Sequence, residues 1–123
     1  MNTHEDFISE ISPIPAIPLI LSETYDLWGK DIPIIVLFSN IGKGVARSFE
    51  QLSNEEQALF FESIEKGMSS PNEGLRVAVA TGLLEALCTT AQDSSATLLW
   101  PEIHTLLRPK SRAYLDAWLN WQS

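Results

Sequence analysis

The chain has 123 residues, 45% hydrophobic and 20% charged, a composition that supports one folded domain and excludes an intrinsically disordered chain. Its formal charge of −8 repels phosphate backbones and anionic membrane surfaces, so neither nucleic acid nor membrane is an expected partner, and a basic protein is. The single cysteine, Cys88, excludes an internal disulfide and a multi-cysteine zinc site.

The first six residues, ending Glu5-Asp6, lack the basic start and apolar core of a secretory signal. The apolar runs 13–21 and 32–38 are too short to span a bilayer, and a cytoplasmic location is the expectation. Thr3 with Asp6 predicts a helix start, followed by Phe7, Ile8 and Ile11 on one side. Pro13, Pro15 and Pro18 deny a regular helix interior across 12–18. From 19 to 28, Leu21, Tyr25 and Trp28 recur at helical spacing, and Gly29 ends the segment. Asp31 is placed to cap a third helix towards Phe49, with Pro33 just inside it. Its apolar positions Ile34, Phe38, Ile41, Val45 and Phe49 fall mostly at steps of three and four, although 34–38 also fits a buried strand. Gly42 and Gly44 mark either a bend or a close approach by a neighbour.

The stretch 53–88 carries the strongest signal. Ser53 and Glu56 form a capping-box pattern, and a helix over about 54–66 buries Phe60, Phe61 and Ile64 before Gly67 stops it. Glu62 with Lys66 is a helix-supporting pair. The run 73–88 has Glu73, Arg76, Thr81 and Glu85 as its only clearly polar side chains, which predicts a central core helix. Its small residues Ala78, Ala80, Thr81 and Gly82 mark the expected site of tightest packing. A polar link at 89–95 leads to a helix opened or kinked by Pro101. Pro109 then starts a last helix with Tyr114, Trp118 and Trp121 on one face. The expectation is a single all-α domain over 1–123, a compact bundle of six or seven short helices around 73–88.

Patterns for catalysis or metal binding do not appear. His4 and His104 are far apart, with no HExxH pair and no cysteine–histidine spacing for zinc. Gly42-Lys43-Gly44 fails as a phosphate loop, because Leu37 stands where its first glycine belongs and Gly44 where its hydroxyl residue belongs. There is no G-x-S-x-G elbow. Neither a cofactor nor a metal is expected, and neither is an enzyme. Glu85, an acid in an apolar helix, needs a donor such as Arg76, Arg108 or Arg112, and Arg76 falls on the opposite face. Charge is also uneven. Residues 1–31 hold six acids against Lys30 alone, −5 of the total −8, and Glu23-Thr24-Tyr25-Asp26-Leu27-Trp28 mixes acids with two large aromatics.

The run Glu56-Gln57-Ala58-Leu59-Phe60-Phe61-Glu62-Ser63-Ile64-Glu65, followed by Arg76 through Leu87, resembles a family of small, acidic, mostly helical bacterial proteins. Some members are assigned as immunity proteins to polymorphic toxins. The shared pattern couples a helix ending in Phe-x-x-Ile-Glu to one ending in Phe/Leu-Leu-Glu-x-Leu. The segment from Leu107 to Leu115 also fits, with Arg108 where relatives often carry glycine. The resemblance covers 55–123 and brings no catalytic residue with it.

It implies a protein that binds a cognate toxin, a C-terminal domain of a large secreted effector, and covers its active site with an acidic and aromatic surface. Candidate contacts are Glu23, Tyr25, Asp26, Trp28 and Asp31, which mix recognition aromatics with steering charge. Glu55 and Glu62 form a second candidate patch. The alternative is an effector-specific chaperone or adaptor without catalytic activity.

Overall fold

A computed structural model of the chain describes residues 1–94 and 98–122. Seven helices account for the fold, with no strand among the described residues. They are α1 (His4–Ile11), α2 (Ala16–Trp28), α3 (Ile34–Ser48), α4 (Asn54–Met68), α5 (Glu73–Gln92), α6 (Leu99–Leu106) and α7 (Pro109–Gln122). A short 3₁₀ turn, Phe49–Gln51, follows α3.

Local chemistry sets the helix starts. Capping boxes open α1 (Thr3 with Asp6) and α4 (Ser53 with Glu56), and Asn72 caps α5 by accepting from the Leu75 amide. Four boundaries differ from the sequence expectation. Helix α2 begins at Ala16 and takes in Pro18, because Pro18 lies in the first turn, where its missing N–H would have had no intrahelical partner. Pro33, not Asp31, occupies the N-cap of α3, and Asp31 stays exposed in the preceding turn. Helix α4 runs through Gly67, whose role is spatial: a β-carbon there would lie 2.8 Å from Val79. Helix α5 likewise extends beyond 88 to Gln92, and Ser95 of the expected link lies outside the described residues. The segment 34–38 is helical, which excludes the strand alternative.

Helix α5 is the centre of the molecule. It packs against α3, α4, α6 and α7, while α1 and α7 both pack against α4. Its length and composition would suffice to cross a membrane, yet Leu75, Ala78, Val79, Leu83, Leu84, Leu87 and Cys88 are buried in the core. Ala78–Leu84 is a π-helical stretch inside it. Here α3 and α5 approach each other backbone to backbone. A β-carbon on Gly42 would collide with the Leu83 carbonyl oxygen, and one on Gly82 would sit 3.0 Å from the Phe38 β-carbon and 3.1 Å from the Ile35 carbonyl oxygen. The Ser39 hydroxyl donates to the Gly82 carbonyl at 3.3 Å, giving that backbone acceptor a partner across the interface. The small residue Gly82 of 73–88 does lie at a close crossing, and Gly42 marks a close approach.

Helix α7 clamps the remaining elements. Glu65 of α4 accepts from the backbone N–H groups of Lys110 (2.6 Å) and Ser111 (3.1 Å), so its carboxylate caps the start of α7. The Tyr114 hydroxyl donates to Glu85 of α5 at 2.5 Å. Arg112 donates to the His104 and Thr105 carbonyls at the end of α6. His104 and Asp116 pair at 2.8 Å.

Candidate functional site

The two acids of the Phe-x-x-Ile-Glu and Leu-Leu-Glu-x-Leu elements, Glu65 and Glu85, both hold α7 in place. The partner of Glu85 is Tyr114 rather than an arginine. Arg76 instead donates to the Ser70 carbonyl at 2.6 Å, and Arg112 is directed to α6. Burial, then the carboxylate of Glu85, raise the Tyr114 hydroxyl pKa well above its ordinary value. Cys88 is fully buried, and desolvation pushes its thiol up to about 12, so it is held as the neutral thiol at neutral pH. Among the described residues no group of three or more His, Cys, Asp or Glu side chains could hold a metal ion.

The uncovered surface lies elsewhere. Helix α2 packs against α3 and forms the outermost layer of the α2–α3–α5 stack. Its inner side buries Ile17 and Thr24, and the Thr24 hydroxyl donates back to the Ile20 carbonyl at 2.7 Å. Ala16, Ile20 and Leu21 pack partly against the core, and other apolar side chains of the helix stay uncovered. Leu19 is 67% exposed, Tyr25 42%, Leu27 83% and Trp28 52%, and Ile35 at the start of α3 is also exposed. These are five of the nine large hydrophobic side chains exposed among the described residues, so the α2–α3 hairpin is where the molecule most conspicuously lacks a cover.

All five first-patch candidates, Glu23, Tyr25, Asp26, Trp28 and Asp31, are exposed on this hairpin, but they do not form one surface. Each residue turns about 100° around a helix, which places Tyr25 and Trp28 on one flank and Glu23 and Asp26 on the other. The first flank is an aromatic pair three residues apart, followed in the next turn by the exposed Asp31. The second carries Leu19, Glu23 and Leu27 as a stripe at steps of four, with Asp26 beside it. That stripe borders a groove of about 220 Å³ lined by Ile20, Glu23, Thr24 and Leu27 of α2 and Asn40, Lys43, Gly44 and Arg47 of α3.

Folding also redistributes the charge of the first 31 residues. Asp6 closes its capping box, accepting from the Asn2 and Thr3 amides, which lowers its pKa. Glu10 pairs with Lys66 at 2.7 Å, taking the lysine that sequence spacing assigns to Glu62. Glu23 lies across the groove from Lys43 and Arg47. The hairpin 16–48 holds Glu23, Asp26 and Asp31 against Lys30, Lys43 and Arg47 and is formally neutral, leaving the −8 to the rest of the chain.

The second-patch candidates, Glu55 and Glu62, are exposed on α4, a different part of the bundle from α2. Glu62 lines a cavity of about 490 Å³ with Glu65, Lys66, Ser69, Arg108 and Pro109, where charges of both signs already face one another. Leu19, Leu27, Lys43 and Arg47 are the surface residues sequence reading misses. For Leu19 and Leu27 the signal was present, since α2 has more apolar positions than one buried stripe can use.

No protein-family model matches the chain, and no curated protein or solved structure is significantly similar to it.

Proposed function

We propose that this chain is an immunity protein: it binds a cognate bacterial toxin domain and neutralises it by covering the active site. The observation that carries the reading is the exposed Tyr25–Trp28 pair on a helix held against the core. Aromatic anchors on a rigid helix bury large area at little entropic cost, and Tyr and Trp dominate binding energy at such surfaces. Asp31 in the turn after the pair, and the −8 charge of the whole molecule, favour capture of a basic cleft. The resemblance of 55–123 to a family of small acidic helical proteins, some of them assigned as immunity proteins, supports the same assignment.

The test begins with capture of partners from the producing bacterium by the tagged full chain. The reading expects one large secreted protein, held through its C-terminal domain and inactivated at near-equimolar ratio. Tyr25→Ala with Trp28→Ala should weaken that inhibition at least tenfold without unfolding the chain. A captured partner that stays fully active identifies an adaptor and sinks the neutralising role.

A further inference from the structure

The opposite flank of α2 has a different chemistry, and we infer that it is a self-association surface on which a second copy of this chain docks. Leu19 and Leu27, among the most exposed aliphatic side chains in the molecule, stand two turns apart on one stripe. Beside them the groove carries Glu23 on its α2 wall and Lys43 and Arg47 on its α3 wall, with Asp26 exposed next to the leucine stripe. None of Glu23, Asp26, Lys43 and Arg47 belongs to an ion pair among the described residues, where the pairs are Lys66–Glu10 and His104–Asp116.

This arrangement is self-complementary. A two-fold axis beside the groove sets Glu23 of one copy, with Asp26 near it on the same helix, against Lys43 and Arg47 of the other, twice, and covers both leucine stripes. A basic toxin cleft would meet Lys43 and Arg47 here and be repelled, so this flank does not duplicate the aromatic one. The neutrality of the hairpin 16–48 removes the repulsion that the −8 charge would impose on contact between copies elsewhere. Helix α2 has α3 as its main neighbour, so its outer side is open to the second copy.

Sedimentation equilibrium on the full chain tests the inference without any toxin, so its failure leaves the neutralising role to its own assay. The weight-average mass should rise with concentration from 13.7 kDa towards twice that value, and Leu27→Ser should return it to 13.7 kDa. Charge reversal is the sharper arm. A chain with Glu23→Lys and Asp26→Lys, and another with Lys43→Glu and Arg47→Glu, should each be monomeric. An equimolar mixture of the two should associate, because every reversed acid then meets a reversed base. All four positions are exposed or border solvent, so circular dichroism of each variant should match the parent chain. A parent mass fixed at 13.7 kDa up to about 1 mM would overturn the inference, as would folded variants that fail to associate when mixed. Association abolished by Trp121→Ala but untouched by the reversals would overturn it too, by moving the contact to the exposed end of α7.

Discussion

The two sides of the α2–α3 hairpin are built to opposite specifications. Where α3 meets α5, glycines bring backbone onto backbone, a serine hydroxyl serves a carbonyl of the π-helical stretch, and Leu37, Phe38 and Ile41 are buried. Where α2 faces outward, leucines, a tyrosine and a tryptophan stand in solvent beside charges of both signs. The same hairpin is thus a rigid wall inside and an uncovered surface outside. The contrast teaches that apolarity alone does not define a core. A helix is drawn in over only as much of its circumference as its neighbours can reach, and α2 has apolar residues beyond that arc.

The largest effect should come from the inner side. Gly42→Ala drives a β-carbon into the Leu83 carbonyl, which is backbone and has little room to yield, so a loss of about 3 kcal/mol is expected by thermal or chemical unfolding. Gly44→Ala makes a useful counterpart, because its obstacle is the Ile20 side chain, which can shift by rotation where backbone cannot; a smaller loss of about 1–2 kcal/mol is expected. Equal costs at the two positions would remove the distinction between a backbone crossing and a side-chain contact.

Tyr114→Phe leaves the Glu85 carboxylate without its donor and should cost about 1.5 kcal/mol. A double-mutant cycle with Glu85→Gln separates the pair from its surroundings, and additive costs would show that the pair does not hold α7 to α5. Ser63 sits wholly buried on α4, and among the described residues its hydroxyl has no hydrogen-bond partner. Ser63→Ala should therefore stabilise the chain by up to about 1 kcal/mol, whereas a measurable loss would reveal a partner for that hydroxyl. On the outer side, Leu19→Ser and Leu27→Ser should change stability by less than about 0.5 kcal/mol, since neither side chain is covered in the monomer. If either unfolds the chain, the outer face is part of the core and the contrast collapses.

Much of the helix layout was legible because its causes are local. Thr3–Asp6 and Ser53–Glu56 are capping boxes within four residues of chain, and the apolar periodicity of α3, α4 and α5 records which face is buried. The misplaced boundaries have the same origin. Pro18 and Gly67 read as breakers by propensity, but the first is excused by its place in the opening turn and the second is required by Val79, a residue distant in sequence. The candidate site was legible only as composition. Glu23, Tyr25, Asp26 and Trp28 are neighbours in the chain, and the helix then separates them onto two flanks.

What the sequence by itself determined is the all-helical class, the central position of 73–88 and the start of most helices, since caps and apolar spacing act over a few residues. Tertiary structure alone decided which acids are free. Asp6 and Glu10 are committed to a cap and a lysine and Glu65 and Glu85 to α7, whereas Glu23 stays unpaired among the described residues at a groove also lined by Lys43 and Arg47. Tertiary structure also decided that Leu19, Leu27, Tyr25 and Trp28 stay outside. The reason is physical: charge pairing and burial depend on distances between residues far apart in the chain, and those distances exist only once the helices have packed.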